Sequence, residues 1–205
     1  AEDYVRAAQV RHDQNRFLES AELYLKGGDH ESAGAIFAQQ QEWARAADCY
    51  LATGAKSVAA EMYDKAGNFR KAAECYTLVD FQRHAASAWV KVKEWEKAAD
   101  CLAKVHAEES VKAKSDPKKL AEFQKLARQA GKLYERCGRR EQAKQILEKG
   151  ECYLEAAEIA QALERYAEAA ELFRSAGNLE RAAEALRSLG ENEAAARILG
   201  EFHRD

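Results

Sequence analysis

The chain is 205 residues long, 47% hydrophobic and 33% charged, with a formal net charge of −3. That hydrophobic share suffices for a continuous core, and the near-balanced charge excludes bulk attraction to nucleic acid or to a membrane surface. No apolar run approaches the roughly 18 residues of a membrane-spanning helix, and no secretory leader is visible.

From the first residues onward one pattern returns every thirteen. A small residue leads it: Ala7, Ser20, Ala33, Ala46, Ala59, Ala72, Ala85 and Ala98, then, after a break, Ala130, Ala143, Ala156, Ala169, Ala182 and Ala195. The next residue is also small in most copies, as in Ala47, Ala60, Ala73, Ala157 and Ala170. Four residues after the lead comes a large apolar side chain, including Tyr24, Phe37, Tyr50, Tyr63, Tyr76 and Trp89 in the first run and Tyr134, Leu147 and Phe173 in the second. Positions i and i+4 share a helix face. Each copy therefore predicts a helix of roughly ten residues, about 15 Å long, followed by a turn of about three. Paired small residues predict close helix–helix approach.

Phe17, Trp43, Phe69 and Trp95 recur at twenty-six, three residues before every second lead alanine. The natural unit is thus a two-helix hairpin. In the second half the aromatics fall at Tyr153 and Tyr166, and the alternation fades. Gly28-Asp29, Gly54, Gly67-Asn68 and Gly177-Asn178 follow the helical runs, where glycine ends one helix in the left-handed conformation and Asn or Asp caps the next. No strand-like alternation is found. Ten-residue helices are marginal alone and are stable by stacking on neighbours. The expected fold is all-α, a solenoid of about fourteen short antiparallel helices with a longer central one.

From Ala98 to Ala130 is 32 residues, which can be divided as two steps plus six. Residues 107–116, AEESVKAKSD, carry few large apolar groups and are expected to bury too little surface to order themselves. Asp116-Pro117 reads as an N-cap with proline at the first helical position. Leu120, Phe123, Ala127, Ala130, Tyr134 and Cys137 then form one apolar stripe over about twenty residues, twice the usual helix. The organisation expected is a first run at 1–106, a break at 107–116 and a second run at 117–205, within one continuous solenoid. The opening AEDYVRAAQV has no methionine and Ala7 is already in register, as expected of a piece of a longer protein.

Charge is uneven. Residues 104–149 hold 13 Lys+Arg and 7 Asp+Glu, a surplus of +6 that leaves −9 elsewhere. Lys125, Arg128, Lys132, Arg136 and Arg139 line up opposite the apolar stripe and are the candidate binding residues, suited to an acidic peptide, a lipid headgroup or nucleic acid. An acidic ladder, Glu22, Asp48, Glu74 and Asp100, repeats every twenty-six residues. Arg45, Lys71 and Lys97, three residues before its last three members, are expected to neutralise it within each helix.

Cys49, Cys75 and Cys101 repeat at the same interval and are expected to be buried free thiols rather than a metal or redox array, which suits a reducing compartment. Cys137 and Cys152 fit the same role. The five histidines do not cluster, and no HExxH, CxxC or glycine-rich phosphate loop occurs. The sequence implies no enzyme, no cofactor and no metal.

The lead alanine, the aromatic at +4 and a small or apolar residue at +7, seen in Ala59-Tyr63-Ala66, Ala169-Phe173-Ala176 and Ala130-Tyr134-Cys137, resemble the second helix of a tetratricopeptide repeat. The unit here is twenty-six residues rather than thirty-four, and the first-helix Trp-Leu-Gly-Tyr signature is missing. The nearer likeness is to the short-helix hairpin arrays of coat, intraflagellar-transport and SNAP-type adaptor proteins. The resemblance implies a TPR-like scaffold that binds a peptide or helix of another protein on its concave face, in the cytoplasm and in intracellular transport. Binding of nucleic acid or anionic lipid through the basic stripe is the alternative.

Overall fold

The computed structural model describes the backbone of residues 2–113 and 117–202, and the side chains of 2–110 and 117–200. Fourteen helices and no strand occur among the described residues. They divide into two compact units, residues 1–94 and 95–205.

The first unit holds α1 (Glu2–Asp13), α2 (Phe17–Gly27), α3 (His30–Gln39), α4 (Trp43–Ala52), α5 (Lys56–Lys65), α6 (Phe69–Leu78) and α7 (Gln82–Lys91). The second holds α8 (Trp95–Ala113), α9 (Pro117–Arg136), α10 (Arg140–Lys149), α11 (Tyr153–Ala162), α12 (Tyr166–Ser175), α13 (Leu179–Ser188) and α14 (Asn192–Phe202). Within each unit every helix packs on the next in sequence order, which is the stacking of an all-α helical solenoid.

Backbone hydrogen bonds explain the number thirteen. The Asp29 N–H donates to the Tyr24 carbonyl at 2.9 Å and closes α2; the Asp29 carbonyl accepts from Ala33 N–H and opens α3. Glu42, Ala55, Asn68, Phe81, Arg139, Cys152, Arg165, Asn178 and Glu191 repeat both bonds, each donating to the residue at +4, large in every case but Ala160, and accepting from the next lead alanine. One residue thus ends a helix and begins the next, satisfying groups that helix termini leave open. The residue before this connector is left-handed, with positive φ at Gly28, Gly54, Gly67 and Gly177 as expected, and also at Gly138 and Gly190. The same conformation recurs, without glycine, at Asn15, Gln41, Asp80, Lys93, Glu151 and Glu164. Side-chain caps are fewer than the sequence suggested: Asp29 and Asn178 accept from backbone N–H groups, whereas Asn68 does not.

The paired small residues divide their work. Ala33, Ala46, Ala47, Ala59, Ala60, Ala72 and Ala73 are wholly buried. In α1, which packs on α2, Ala8 is buried and Ala7 exposed; in α14, which packs on α13, Ala195 is buried and Ala196 exposed. The first small residue therefore faces the preceding helix and the second the following one. Ser20, the lone polar lead, is buried and donates its hydroxyl to the Ala8 carbonyl at 2.7 Å.

Two members of the acidic ladder, Glu22 and Asp48, are paired across the stack rather than within their own helices. Arg45 reaches Glu22 at 3.2 Å and Lys71 reaches Asp48 at 3.1 Å, each bridging alternate helices. Arg70–Glu94 and Lys91–Asp64 tie further alternate elements of the first unit, and Lys144–Glu168 and Arg181–Glu158 those of the second. Tyr63 also donates to Asp48. Burial pushes the Asp48 carboxyl up, but Tyr63 and Lys71 outweigh it and hold the group below its ordinary value.

Residues 107–113 continue α8 as helix, and 114–116 lie outside the described residues. The 32 residues from Ala98 to Ala130 are one step plus nineteen. α8 has 19 residues and α9 has 20, against ten in α10. The surplus over two ten-residue helices is nineteen, so the whole insertion lengthens one hairpin.

Candidate functional site

The lengthened hairpin is where the second unit departs from its own repeat. Its inner stripe is apolar as expected, with Phe123, Leu126, Ala127, Ala130, Leu133 and Tyr134 buried. At the base it keeps the ordinary register: Tyr134 donates to Asp100 at 2.7 Å, and Arg136 lies 5.1 Å from the Trp95 ring centroid. Lys65 over Trp43 and Lys91 over Phe69 are the matching cation–π contacts in the first unit.

All five candidate basic residues are exposed, but they are not one free stripe. Arg128 turns to Glu155 of α11 at 2.5 Å. Arg136 lies over Trp95. Arg139 has left α9, serves as the connector before α10 and pairs with Glu96 at 2.6 Å. Lys125 and Lys132 have no ion partner among the described residues.

Beside the distal half of the hairpin lies a cleft of about 730 Å³. Ala103, His106 and Ala107 of α8, Leu120 and Phe123 of α9, and Ile146 of α10 supply its walls; Ser110, Glu148, Lys149, Glu151 and Tyr153 edge it. His106 is 2% exposed and stacks on Phe123 with ring centroids 3.8 Å apart. Its Nε2 is buried without a hydrogen-bond partner. Burial, and secondarily Lys149, hold the imidazole below its ordinary pKa, against the pull of Glu109, so the ring is neutral and acts as an apolar wall. Gly150 closes the corner. Its φ of −85° requires no glycine, but a Cβ there would lie 2.2 Å from the Ala127 Cβ. Sequence reasoning missed this corner. The available signal was that Gly150 stands one residue before the left-handed position held by Glu151.

Close by, Lys144 is buried among Glu141, Glu148 and Glu168. Burial pulls the ammonium down, but Glu168 and the other carboxylates outweigh it and hold it above its ordinary value. No group of three or more His, Cys, Asp or Glu that could hold a metal ion occurs among the described residues. Cys49, Cys75, Cys101 and Cys152 are buried free thiols. Burial raises the pKa of Cys49, Cys75 and Cys152, which opposes thiolate chemistry. No described helix is long and apolar enough to cross a membrane.

No family model and no curated protein matches the chain. Among solved structures, a chain of nearly identical TPR-like repeats from Podosopora anserina is similar at 17% identity and a TM-score of 0.34, covering 100% of this chain and 97% of that one. BtubC from P. vanneervenii is similar at 16% identity and a TM-score of 0.26, over 99% and 87% of the two chains. A circular tandem repeat protein shows 19% identity and a TM-score of 0.30, over 97% and 55%.

Proposed function

We propose that this TPR-like array is a protein-interaction scaffold that binds a peptide or helix of a partner protein on the concave face of its helix stacks. The observation that supports this is the division between satisfied and unsatisfied surface. Small residues are consumed in the seams and charges in rungs between alternate helices. Large apolar side chains nevertheless remain in water: Leu78 is 66% exposed, Phe81 45% and Leu51 39%. Lys125 and Lys132 are a secondary docking surface for acidic groups of the same partner.

The test is a binding isotherm for a partner cross-linked to the full chain and identified by mass spectrometry. Raising salt from about 50 to 200 mM should weaken a scaffold complex less than tenfold, whereas binding through six or more phosphates would weaken by about 10³ or more. Leu78→Glu with Phe81→Glu should also weaken it. A salt loss of the larger size with no effect of that double variant would instead establish the anionic-ligand reading.

A further inference from the structure

We infer that His106 and Phe123 form a latch on the long hairpin: protonation of His106 releases the parts of α8 and α9 that lie beyond this pair, while the base of the hairpin stays folded. The device does not depend on the scaffold reading. Three observations carry it.

The first is position. In α8, Val105 and His106 are the last buried residues among those described, and 107–110 are exposed or half-buried. In α9, Phe123 is the first buried residue, and 117–122 before it are exposed or half-buried. His106 on Phe123 is therefore the outermost buried layer of the described hairpin. Helical segments with few buried contacts open most readily, so this layer sets how far inward such opening travels. Nearer the base, Tyr134–Asp100 and Arg139–Glu96 hold the two helices in register.

The second is the slot. The ring is 2% exposed, stacks on Phe123 and keeps its Nε2 without a hydrogen-bond partner. Gly150 closes the slot, where a Cβ would lie 3.3 Å from Nε2 and 2.2 Å from the Ala127 Cβ. A neutral ring fits there. An imidazolium would be a buried charge whose Nε2 proton has no acceptor, an arrangement that burial disfavours.

The third is the surroundings. Glu109, nearly one turn on in α8, favours protonation, and Lys149 of α10 opposes it. Glu148 of α10 lies 3.5 Å from Lys144; Glu151 follows α10, and Tyr153 of α11 borders the same cleft. From α9 come Leu120 and Phe123, both uncharged. In its slot Nε2 bonds to none of these carboxylates. The cleft of about 730 Å³ beside the ring offers water and the rim carboxylates to an imidazolium that leaves the slot. The folded ring titrates below its ordinary value, so the latch is closed above the unfolded pKa of about 6.5 and releases as pH falls from there through the folded one.

The test is hydrogen–deuterium exchange of the full chain at about pH 7.5 and 5, each corrected for intrinsic exchange rates, with His106→Phe and His106→Gln alongside. In the wild type, protection of 103–110 and 117–127 should fall roughly threefold or more in acid, since each unit of pKa separation is worth up to tenfold. Protection of α12 and α13 should hold. Both variants remain neutral, and whichever keeps wild-type protection near pH 7.5 should show no acid loss at 103–110 and 117–127. Failure of both to keep it leaves the decision to the wild type's His106 ring, titrated by NMR: a midpoint below that of free histidine, coincident with loss of protection at 117–127, supports the latch. Unchanged protection in the wild type, an equal acid loss in a well-folded variant, an equal loss throughout α12 and α13, or an ordinary His106 midpoint overturns it.

Discussion

Tyr134 donates to Asp100 across 34 residues of chain, and Tyr63 makes the same bond to Asp48 across fifteen. The difference of nineteen is the insertion, so the array returns to register as soon as the long hairpin closes. In both pairs the phenol is pushed above its ordinary pKa, by burial first and then by the carboxylate. Each tyrosine therefore remains a donor throughout the accessible pH range.

Removing this bond should loosen the hairpin's base. Tyr134→Phe is expected to cost about 1–2 kcal/mol in urea unfolding, as hydrogen bonds to charged groups do. Tyr134→Phe and Asp100→Asn together should cost less than the sum of the single losses. Strict additivity would mean that the two residues do not act as a pair.

The left-handed positions offer a second measurement. Gln41 and Lys93 have φ of 61° without being glycine, a conformation that costs L-residues roughly 1–2 kcal/mol. Gln41→Gly or Lys93→Gly should raise stability by about 0.5–1 kcal/mol, because relief of that cost exceeds the added chain entropy. Gly177→Ala, at φ 75°, should lower it. A fall in the urea midpoint for both glycine variants would contradict this account.

Close approach sets a third expectation. Ala72 is wholly buried in its seam, and a Cβ on Gly150 would collide with Ala127. Ala72→Leu and Gly150→Ala should each destabilise by about 1–3 kcal/mol through overpacking. Midpoints equal to wild type would place neither residue at a tight contact.

His106 makes the hairpin sensitive to acid. Its folded pKa lies below its unfolded value of about 6.5. The neutral ring's contribution is complete above the unfolded pKa and is lost as pH falls from there through the folded value. Lys149 opposes protonation and Glu109 favours it; Glu148 and Glu151 also border the same cleft. Thermal midpoints measured from about pH 7.5 to 5 should fall more steeply for wild type than for His106→Phe. Parallel curves would assign the acid response to other groups.

Much of this architecture is legible in the sequence because repetition amplifies weak signals. One alanine says little, but Ala33, Ala46, Ala59 and Ala72 at a fixed interval specify a seam. The Asp116-Pro117 pair and the apolar stripe from Leu120 to Cys137 likewise predict a helix twice the usual length. Partner geometry across the stack is less legible. Lys71 stands three residues before Glu74 yet pairs with Asp48, because alternate helices bring them together in space. The candidate cleft was hidden for a similar reason. His106, Phe123 and Gly150 meet only when two extended helices and the following turn are folded, and no local pattern links them.

The shared connectors also govern which length changes the chain tolerates. Deleting one residue at Glu42 or Asn68 would turn everything downstream by about 100° about the helix axis, and the seams would no longer meet. Extra residues at the tip of an antiparallel pair leave both ends of that pair where they were, much as lengthening the stem of an RNA hairpin leaves its flanks in place. Within the second unit, a change of length inside the α8–α9 pair therefore disturbs less than a single-residue change at a connector such as Cys152 or Arg165.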